Sequence, residues 1–565
     1  MNSLKNTLLV IHMGVPGLFR TLVKKYPQVL SRELQWKTDQ LLFDYNGLVH
    51  HCVHLLPSTA TAKVLEETLL AKTVGYTNLI VKVVNPKNVV YIALDGPVPM
   101  GKLMCQRSRR YKKVLDDSFA RKMATKYNIP ANSNFNSSAI TPGTVFMAKL
   151  VGRLQSAAKL GAFGDAKVYL SDSNVPGEGE QKISRFVSNG QRKPNGESPN
   201  IVMYGMDADL VVLAMMLCTK YNSNILLMRE DADNPSEFVF LNVNILIDSL
   251  ISEYKLFYVE RTQFVKDFAF ISMFGGNDFV DPFVHTKMRE GGLDSLLNAY
   301  SKTLSARKNG TALIDENNSP VYSVFEAFLS HVAESEVEYT VPRSHMSCDS
   351  SGTSYDTELE LYQHALYSNP QNPFFKRYHR DLQKFTVETY HSHFFADASK
   401  DALCKQYLHC VKWTFVYYST MTPPSWLWYY TFRNAPLCST LTEYVRGIGP
   451  RRFAKLWSSL DFPCDVCIPP LLQLLCVLPK EHAHLLPFSY SRFVKDNKEL
   501  LEQLMPNPQS LRLDAAKGLK NIYSDLLMEP INLRAMHIIA SGLPLSPSEF
   551  ARNKVKKGLV EISKR

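Results

Sequence analysis

The fold is read from two neighbouring runs, SNVPGEGEQKISRF (173–186) and NIVMYGMDADLVVLAMM (200–216). In the first, Pro176-Gly177 breaks the chain ahead of an amphipathic run, which puts Glu178 and Glu180 at the mouth of a helix. In the second, a continuously apolar strand runs into Asp207 and Asp209 and then into another apolar helix. Strands apolar on both faces belong to parallel sheets covered by helices on both sides. Sites in such sheets lie at the carboxyl ends of the strands. Carboxylates gathered there repel one another and lose hydration, so something cationic must offset them. A divalent metal is the simplest candidate, because hard cations take oxygen ligands.

The same pattern recurs on both sides. LLFDYNGLVHHCVH (41–54) starts as a strand and leaves Asp44 at its exit, and NVVYIALDGPVP (88–99) leaves Asp95. KVYLSD (167–172), NILLMRE (224–230) and FVFLNV (238–243) read as further strands. Helices are predicted over 13–30, with Leu18, Leu22 and Val23 on one side, over 62–85, 101–128, 141–161 and 178–188, and from about 209. A helix within 264–283 leaves Asp278 just after Gly275-Gly276. Alternating strands and helices predict a doubly wound, mostly parallel α/β sheet. Taken singly, an Asp after a strand is more often a helix cap than a ligand. Five segments delivering seven acids (Asp44, Asp95, Glu178, Glu180, Asp207, Asp209 and Asp278) suit a two-metal phosphoryl-transfer site better.

A basic row follows Asp95. Lys102, Gln106 and Arg109 or Arg110 recur at helical spacing, so one helix face can present them together. Such a face can clamp a terminal phosphate through charge-assisted bonds, or it can simply be solvated. The net charge of +11 favours a polyanionic partner. Ten cysteines without regular spacing read as reduced intracellular thiols. Cys464 and Cys467, with His482 and His484 downstream, do not have finger spacing. No apolar run reaches membrane-spanning length, and VCIPPLLQLLCVLP (466–479) is short and broken by prolines. His50 and the tryptophans Trp413, Trp426 and Trp428 are either base-stacking platforms or core.

Together these motifs resemble the Xrn-type 5′→3′ exoribonucleases, relatives of the flap endonucleases. The resemblance rests on MGVPGLFR (13–20), FDYNGLVHHC (43–52), ALDGPVPMGKLMCQRSRR (93–110), ITPGTVFMAKL (140–150), VPGEGEQKI (175–183), YGMDADLVVLAMM (204–216), NILLMRE (224–230) and GGNDF (275–279). It continues through PSWLWYYTFRNAP (424–436) and, more loosely, LLQLLCVLPKEHAHLLP (471–487). It implies a nuclease core at 13–340, a linker at 341–356 and a second, largely helical region at 357–490. Residues 1–12 are then an extension and 491–565 a helical tail.

The resemblance also implies roles. The seven acids would hold two Mg2+ or Mn2+ ions, and Lys182 would lie close to them. Lys102, Gln106, Arg109 and Arg110 match the family's pocket for a 5′-monophosphate. His50 matches a histidine that stacks on the terminal base, with Trp413 or Trp426 completing the stack. The implied substrate is single-stranded RNA with a 5′-monophosphate, degraded processively to mononucleotides in RNA decay, with decapping machinery acting upstream. The enzyme is expected to be a monomer in the cytoplasm or nucleus. Gln181 replaces the family's usual His, and Met100-Gly101 a more basic pair. A compact, divergent member is expected, of the kind a large DNA virus or a parasite would encode. Two other readings stand beside this one. GIGPRR (447–452) resembles part of the hairpin that flap endonucleases lay on DNA. An inactive nucleic-acid-binding scaffold is the third, although a pure binder gains nothing from acids where phosphates approach.

Overall fold

The computed structural model describes residues 17–57, 61–126, 135–190, 198–231, 234–307, 311–340, 387–395, 398–514 and 525–563. The expected extension (1–12) and linker (341–356) lie outside the described residues. Eight strands form the main sheet: β1 (Leu30–Ser31), β2 (Gln40–Asp44), β3 (Val89–Ala93), β4 (Lys167–Ser171), β5 (Asn200–Tyr204), β6 (Asn224–Glu230), β7 (Phe238–Asn242) and, after the β8–β9 hairpin (Arg512–Asp514, Asp525–Leu527), β10 (Val560–Ile562). Their spatial order is β1-β7-β6-β5-β2-β3-β4-β10. The five central strands β6, β5, β2, β3 and β4 are parallel. Antiparallel β7 and β1 close one edge and antiparallel β10 the other. From β2 the chain winds outward through β3 and β4, then crosses back to β5 and β6, which is the doubly wound topology the alternation predicts. Its switch point lies between β2 and β5, where such sheets open a crevice.

Alternation along the central strands feeds two cores, as a period of two requires. Leu41, Phe43, Val90, Ile92, Val202 and Tyr204 point to one face, where α2 (Tyr45–His54), α3 (Ala62–Val84) and α5 (Val145–Lys159) cover them. Leu42, Val89, Tyr91, Ile201 and Met203 point to the other, against α6 (Gly179–Ser188), α7 (Asp209–Tyr221), α8 (Val243–Glu253) and α9 (Arg261–Ser272). This second core runs on without a break into α10 (Gly292–Ser305), α11 (Tyr322–Thr340) and the helices Lys400–Thr420 and Cys438–Ser459. The helical region therefore packs directly on the main sheet.

Several element boundaries move from those expected. α1 spans Leu18–Lys25 and buries Leu18 and Leu22, whereas Val23 is half-buried. α5 begins at Val145, because Gly143 has φ +90° and Thr144 caps the helix by accepting from the Met147 N–H. GIGPRR is the kink of a longer helix: Gly449 (φ 69°) and Pro450 interrupt Cys438–Ser459. Residues 491–565 are not a detached helical tail. β10 pairs with β4, and the stretch before it is laced to the turn after β4. There the Lys556 N–H donates to the Asn174 carbonyl (2.9 Å), and the Asn174 amide donates to the carbonyls of Arg552 (2.9 Å) and Lys554 (2.8 Å). The Lys556 ammonium pairs with Asp172 at 2.5 Å.

These bonds fall in the turn that leads into Glu178. Removing residues 555–565 is expected to speed amide exchange in β4 and residues 172–177 by about tenfold, or ~1.4 kcal/mol of local protection. Hydrogen-exchange mass spectrometry would read this, with the β5–β6 pair as the unaffected reference.

Candidate active site

The carboxyl edge of the sheet collects the acids because each of four strands ends at the same level. Asp44 terminates β2 and holds the N-cap position of α2, yet its side chain makes no capping bond. Glu178 holds the N-cap position of α6, likewise without one. The cap reading of these two acids therefore fails, and their oxygens point into the shared space. Asp95 stitches the loops together. It accepts from the Gly179 N–H at 2.8 Å and from the Asn46 amide at 2.9 Å. The loop after it is zipped to the one before Glu178 by Gly96 N–H to Gly177 O (2.9 Å) and Gly177 N–H to Pro97 O (2.8 Å). A Cβ at Gly179 would overlap the Asp44 carboxylate, and one at Gly96 would overlap the Val175 carbonyl. Both positions require glycine for close approach.

Carboxylate oxygens of Asp44, Asp95 and Glu180 lie within 4.8 Å of one another. Beside them the Lys102 ammonium pairs with Glu178 and, at 2.6 Å, with Asp278. Arg109 donates to the other Asp278 oxygen at 2.6 Å. Asp207, Asp209 and Asp278 all act electrostatically on one another and on Lys102. The structure thus brings all seven sequence-selected acids into one group, six of them buried and Asp95 half-buried. An all-oxygen, carboxylate-rich set of this kind fits hard divalent cations.

Residues 13–231 match the family described as XRN 5'-3' exonuclease N-terminus, and residues 258–366 and 370–557 match the Xrn1 helical domain. The chain belongs to the XRN exonuclease family. It is 24% identical to human 5'-3' exoribonuclease 1 over 88% of its own length and 32% of that protein's. It is 29% identical to 5'-3' exoribonuclease 2 of Eremothecium gossypii (52% and 38% of the two chains) and 28% to 5'-3' exoribonuclease 1 of Saccharomyces cerevisiae (52% and 21%). The chain therefore spans roughly a fifth to two fifths of the length of these curated relatives. No described helix is long and apolar enough to cross a membrane.

The basic row on α4 (Met100–Lys126) is divided by the helix periodicity. Lys102 and Arg109 turn into the XRN acid cluster. Arg110 turns to Thr141, donating to its hydroxyl at 2.7 Å, and Gln106 lies one turn before it. His50 stands close enough to Arg110 for the guanidinium to depress its pKa; burial is the larger cause, and together they lower it to about 4. Arg107 faces away and is structural: it donates to the carbonyls of Leu504 (2.7 Å) and Glu529 (2.9 Å).

Lys182 lies close to the acids, beside Asp95, with its ammonium committed to backbone. It donates to the carbonyls of Leu94 (2.6 Å) and Asp172 (3.0 Å), holding the ends of β3 and β4, and burial lowers its pKa to about 7. Trp413 is not a stacking platform. It is 2% exposed, its indole N–H donates to the Ser425 carbonyl at 3.0 Å, and it packs on Phe279. A large indole with its one donor satisfied is core. Trp426 is half-buried, and its carbonyl accepts from the Met100 N–H (2.8 Å) at the start of α4. Trp428 packs against His409 and Phe462. Cys464 and Cys467 lie on the loop before the helix Pro470–Val477, and the His482 ring is bonded to Ser138.

Two contributors escaped the sequence reading. Asn46, in the DYN triplet, carries an amide directly after Asp44 that could have suggested its tie to Asp95. Tyr417 donates to Glu178 at 3.1 Å from the second region, and no local signal marks it among so many aromatics.

Burial is the largest cause of the elevated pKa values in the cluster. It raises Asp44 and Glu180 well above the carboxylate range, with neighbouring acids adding to the effect. Asp207 and Asp209 rise to about 7, despite Lys102. For Asp278, burial is outweighed by Arg109 and Lys102, which hold it at about 2. Burial alone would lower Lys102, but Asp278 and Glu178 keep it well above its usual value. Acids raised from 3.8 to about 7 bind more protons folded than unfolded between those values. Metal-free stability must therefore fall as pH rises through that window, while metal affinity rises.

The Tm of the metal-free protein is expected to drop between about pH 5 and pH 8, and Mn2+ should restore more stability at the higher pH. Asp207→Asn with Asp209→Asn should flatten both trends in differential scanning fluorimetry.

Proposed function

We propose that this chain is a metal-dependent 5′→3′ exoribonuclease that hydrolyses 5′-monophosphorylated RNA to mononucleotides. The observation that carries the proposal is the seven-acid cluster, buried except for half-buried Asp95, sharing a wall with the basic face of α4. Two Mg2+ or Mn2+ ions held by Asp44, Asp95, Glu178, Glu180, Asp207, Asp209 and Asp278 would activate water and neutralise the leaving oxygen. Asn46 and the Gly179 N–H keep the Asp95 carboxylate aimed, and Lys182 ties together the strand ends that carry these loops. Gln106 and Arg110, with Lys102 and Arg109 beside the acids, would grip a terminal phosphate and exclude longer 5′ ends. Half-buried His50 and Trp426 would stack on the leading base.

The names of the curated relatives support an RNA exonuclease, and the flap-nuclease reading loses its one supporting feature, since GIGPRR is a helix kink. Enzymes that leave 5′-monophosphate ends, decapping activities included, are the implied upstream partners. A monomer would suffice, because the acids and the basic face come from one chain.

One RNA carrying a 5′-monophosphate, triphosphate or hydroxyl, incubated with protein and Mg2+, tests the proposal. Mononucleotides should appear from the monophosphate form, and Asp207→Ala with Asp209→Ala should slow release on the order of 10³-fold or more. Equal decay of all three ends would remove the phosphate pocket while leaving the nuclease. Internal cutting of flap DNA with RNA untouched would sink the exoribonuclease.

A further inference from the structure

The ITPGT run (140–144), which leads into α5, touches the basic face directly. The chain from Ser137 to Ala139 forms a 3-10 turn capped by Asn136, which accepts from the Ser138 N–H at 3.0 Å. Thr141, 0% exposed, follows it. Its hydroxyl donates to the Ser138 carbonyl at 2.7 Å and accepts from the Arg110 Nη2 at 2.7 Å. A threonine hydroxyl has one proton, so committing it to Ser138 leaves only lone pairs for the guanidinium. The polarity of the Thr141–Arg110 contact is thereby locked.

Arg110 is also held by the Gln106 carbonyl, which accepts from Nη1 at 3.1 Å. Its Nε–H is buried with no protein acceptor among the described residues, and the Gln106 Oε1 is buried with no protein donor among them. An unsatisfied buried donor costs about 1–3 kcal/mol, a cost an anionic acceptor would remove. The guanidinium is thus gripped on one side and unmet on the other, which is how a bidentate phosphate ligand is aimed.

The turn itself is fixed from the helical region. His482 Nδ1 and Ser138 Oγ are 3.0 Å apart. Arg552 donates to the Gly143 carbonyl, and a Cβ at Gly143 would press on Pro470 and Leu471.

We propose that Thr141 is a positioning residue for 5′-phosphate recognition: it orients Arg110, and its turn is held in place by His482, so the two family regions build the end pocket jointly. This rests on the phosphate pocket of the proposed function. The ligand is a phosphate monoester at an RNA 5′ end, and Thr141 acts on it only through Arg110.

The test is steady-state kinetics of the full chain with Mg2+ on 5′-monophosphate and 5′-hydroxyl forms of one RNA. Thr141→Val, close in shape, should raise KM for the monophosphate form about tenfold, leave kcat within about twofold and leave the hydroxyl form unaffected. Thr141→Ser should restore KM, and Ser138→Ala should raise it by a smaller factor. Arg110→Ala should abolish end discrimination, with Thr141→Val adding nothing in that background. If Arg110→Ala keeps discrimination, the pocket and this inference fall together. If Arg110→Ala loses it while Thr141→Val keeps the wild-type KM, the inference alone is overturned. A fall in kcat on both ends with KM unchanged would also overturn it. Should Thr141→Val melt below the assay temperature, Thr141→Cys, similar in volume but a weak acceptor, decides by the same readouts.

Discussion

The structure is organised around one electrostatic constraint: seven carboxylates share a buried space, and the cations pressed into it are few. Lys102 bridges Glu178 and Asp278, and Arg109 shares Asp278. Two positive charges against seven acids leave a deficit that burial makes worse, because removing water strengthens repulsion as well as attraction. Burial and the neighbouring acids raise Asp207 and Asp209 to about 7, and hydrogen bonds among the loops hold the acids together. The same deficit fits the cluster to divalent cations, which take oxygen ligands.

The frame is built to resist that repulsion. Parallel strands end together, the loops leaving β3 and β4 are zipped to each other, and Lys182 holds both strand ends through their carbonyls. Close approach of Gly179 to Asp44 and Gly96 to Val175 leaves no room for side chains. The helical region adds its own ties: Tyr417 to Glu178, Trp426 to Met100, and the segment around Lys556 to the turn at Asp172. Neither family region completes the site alone. The pairing of β10 with β4 returns the last described residues to the main sheet, beside the turn that leads into Glu178.

Much of this was legible from residue order. Continuous apolar strands ending in acids announced a parallel sheet with its site at the carboxyl edge, because only that architecture covers such strands on both faces. Asp44, Asp95, Asp207 and Asp209 follow such strands, Glu178 and Glu180 open a helix and Asp278 follows a Gly-Gly break, and all seven meet. Less legible were the side chains whose roles depend on direction rather than spacing. Lys102, Arg107 and Arg110 sit on one helix within eight residues, yet they face the acids, the helical region and Thr141 respectively. Trp413 carries the same composition signal as Trp426, but one lies in the core and the other beside the start of α4.

The sequence by itself determined the fold class and the set of acids, since both follow from local periodicity and from where strands stop. It could not determine which cation neutralises which acid, nor that Lys182 would serve backbone carbonyls. It could not place β10 at the sheet edge or His482 behind Ser138 either. Those outcomes join residues as much as 394 positions apart, as in Ile562 of β10 against Val168 of β4. Such contacts depend on how two packed layers meet, and that geometry exists only once the whole core has closed.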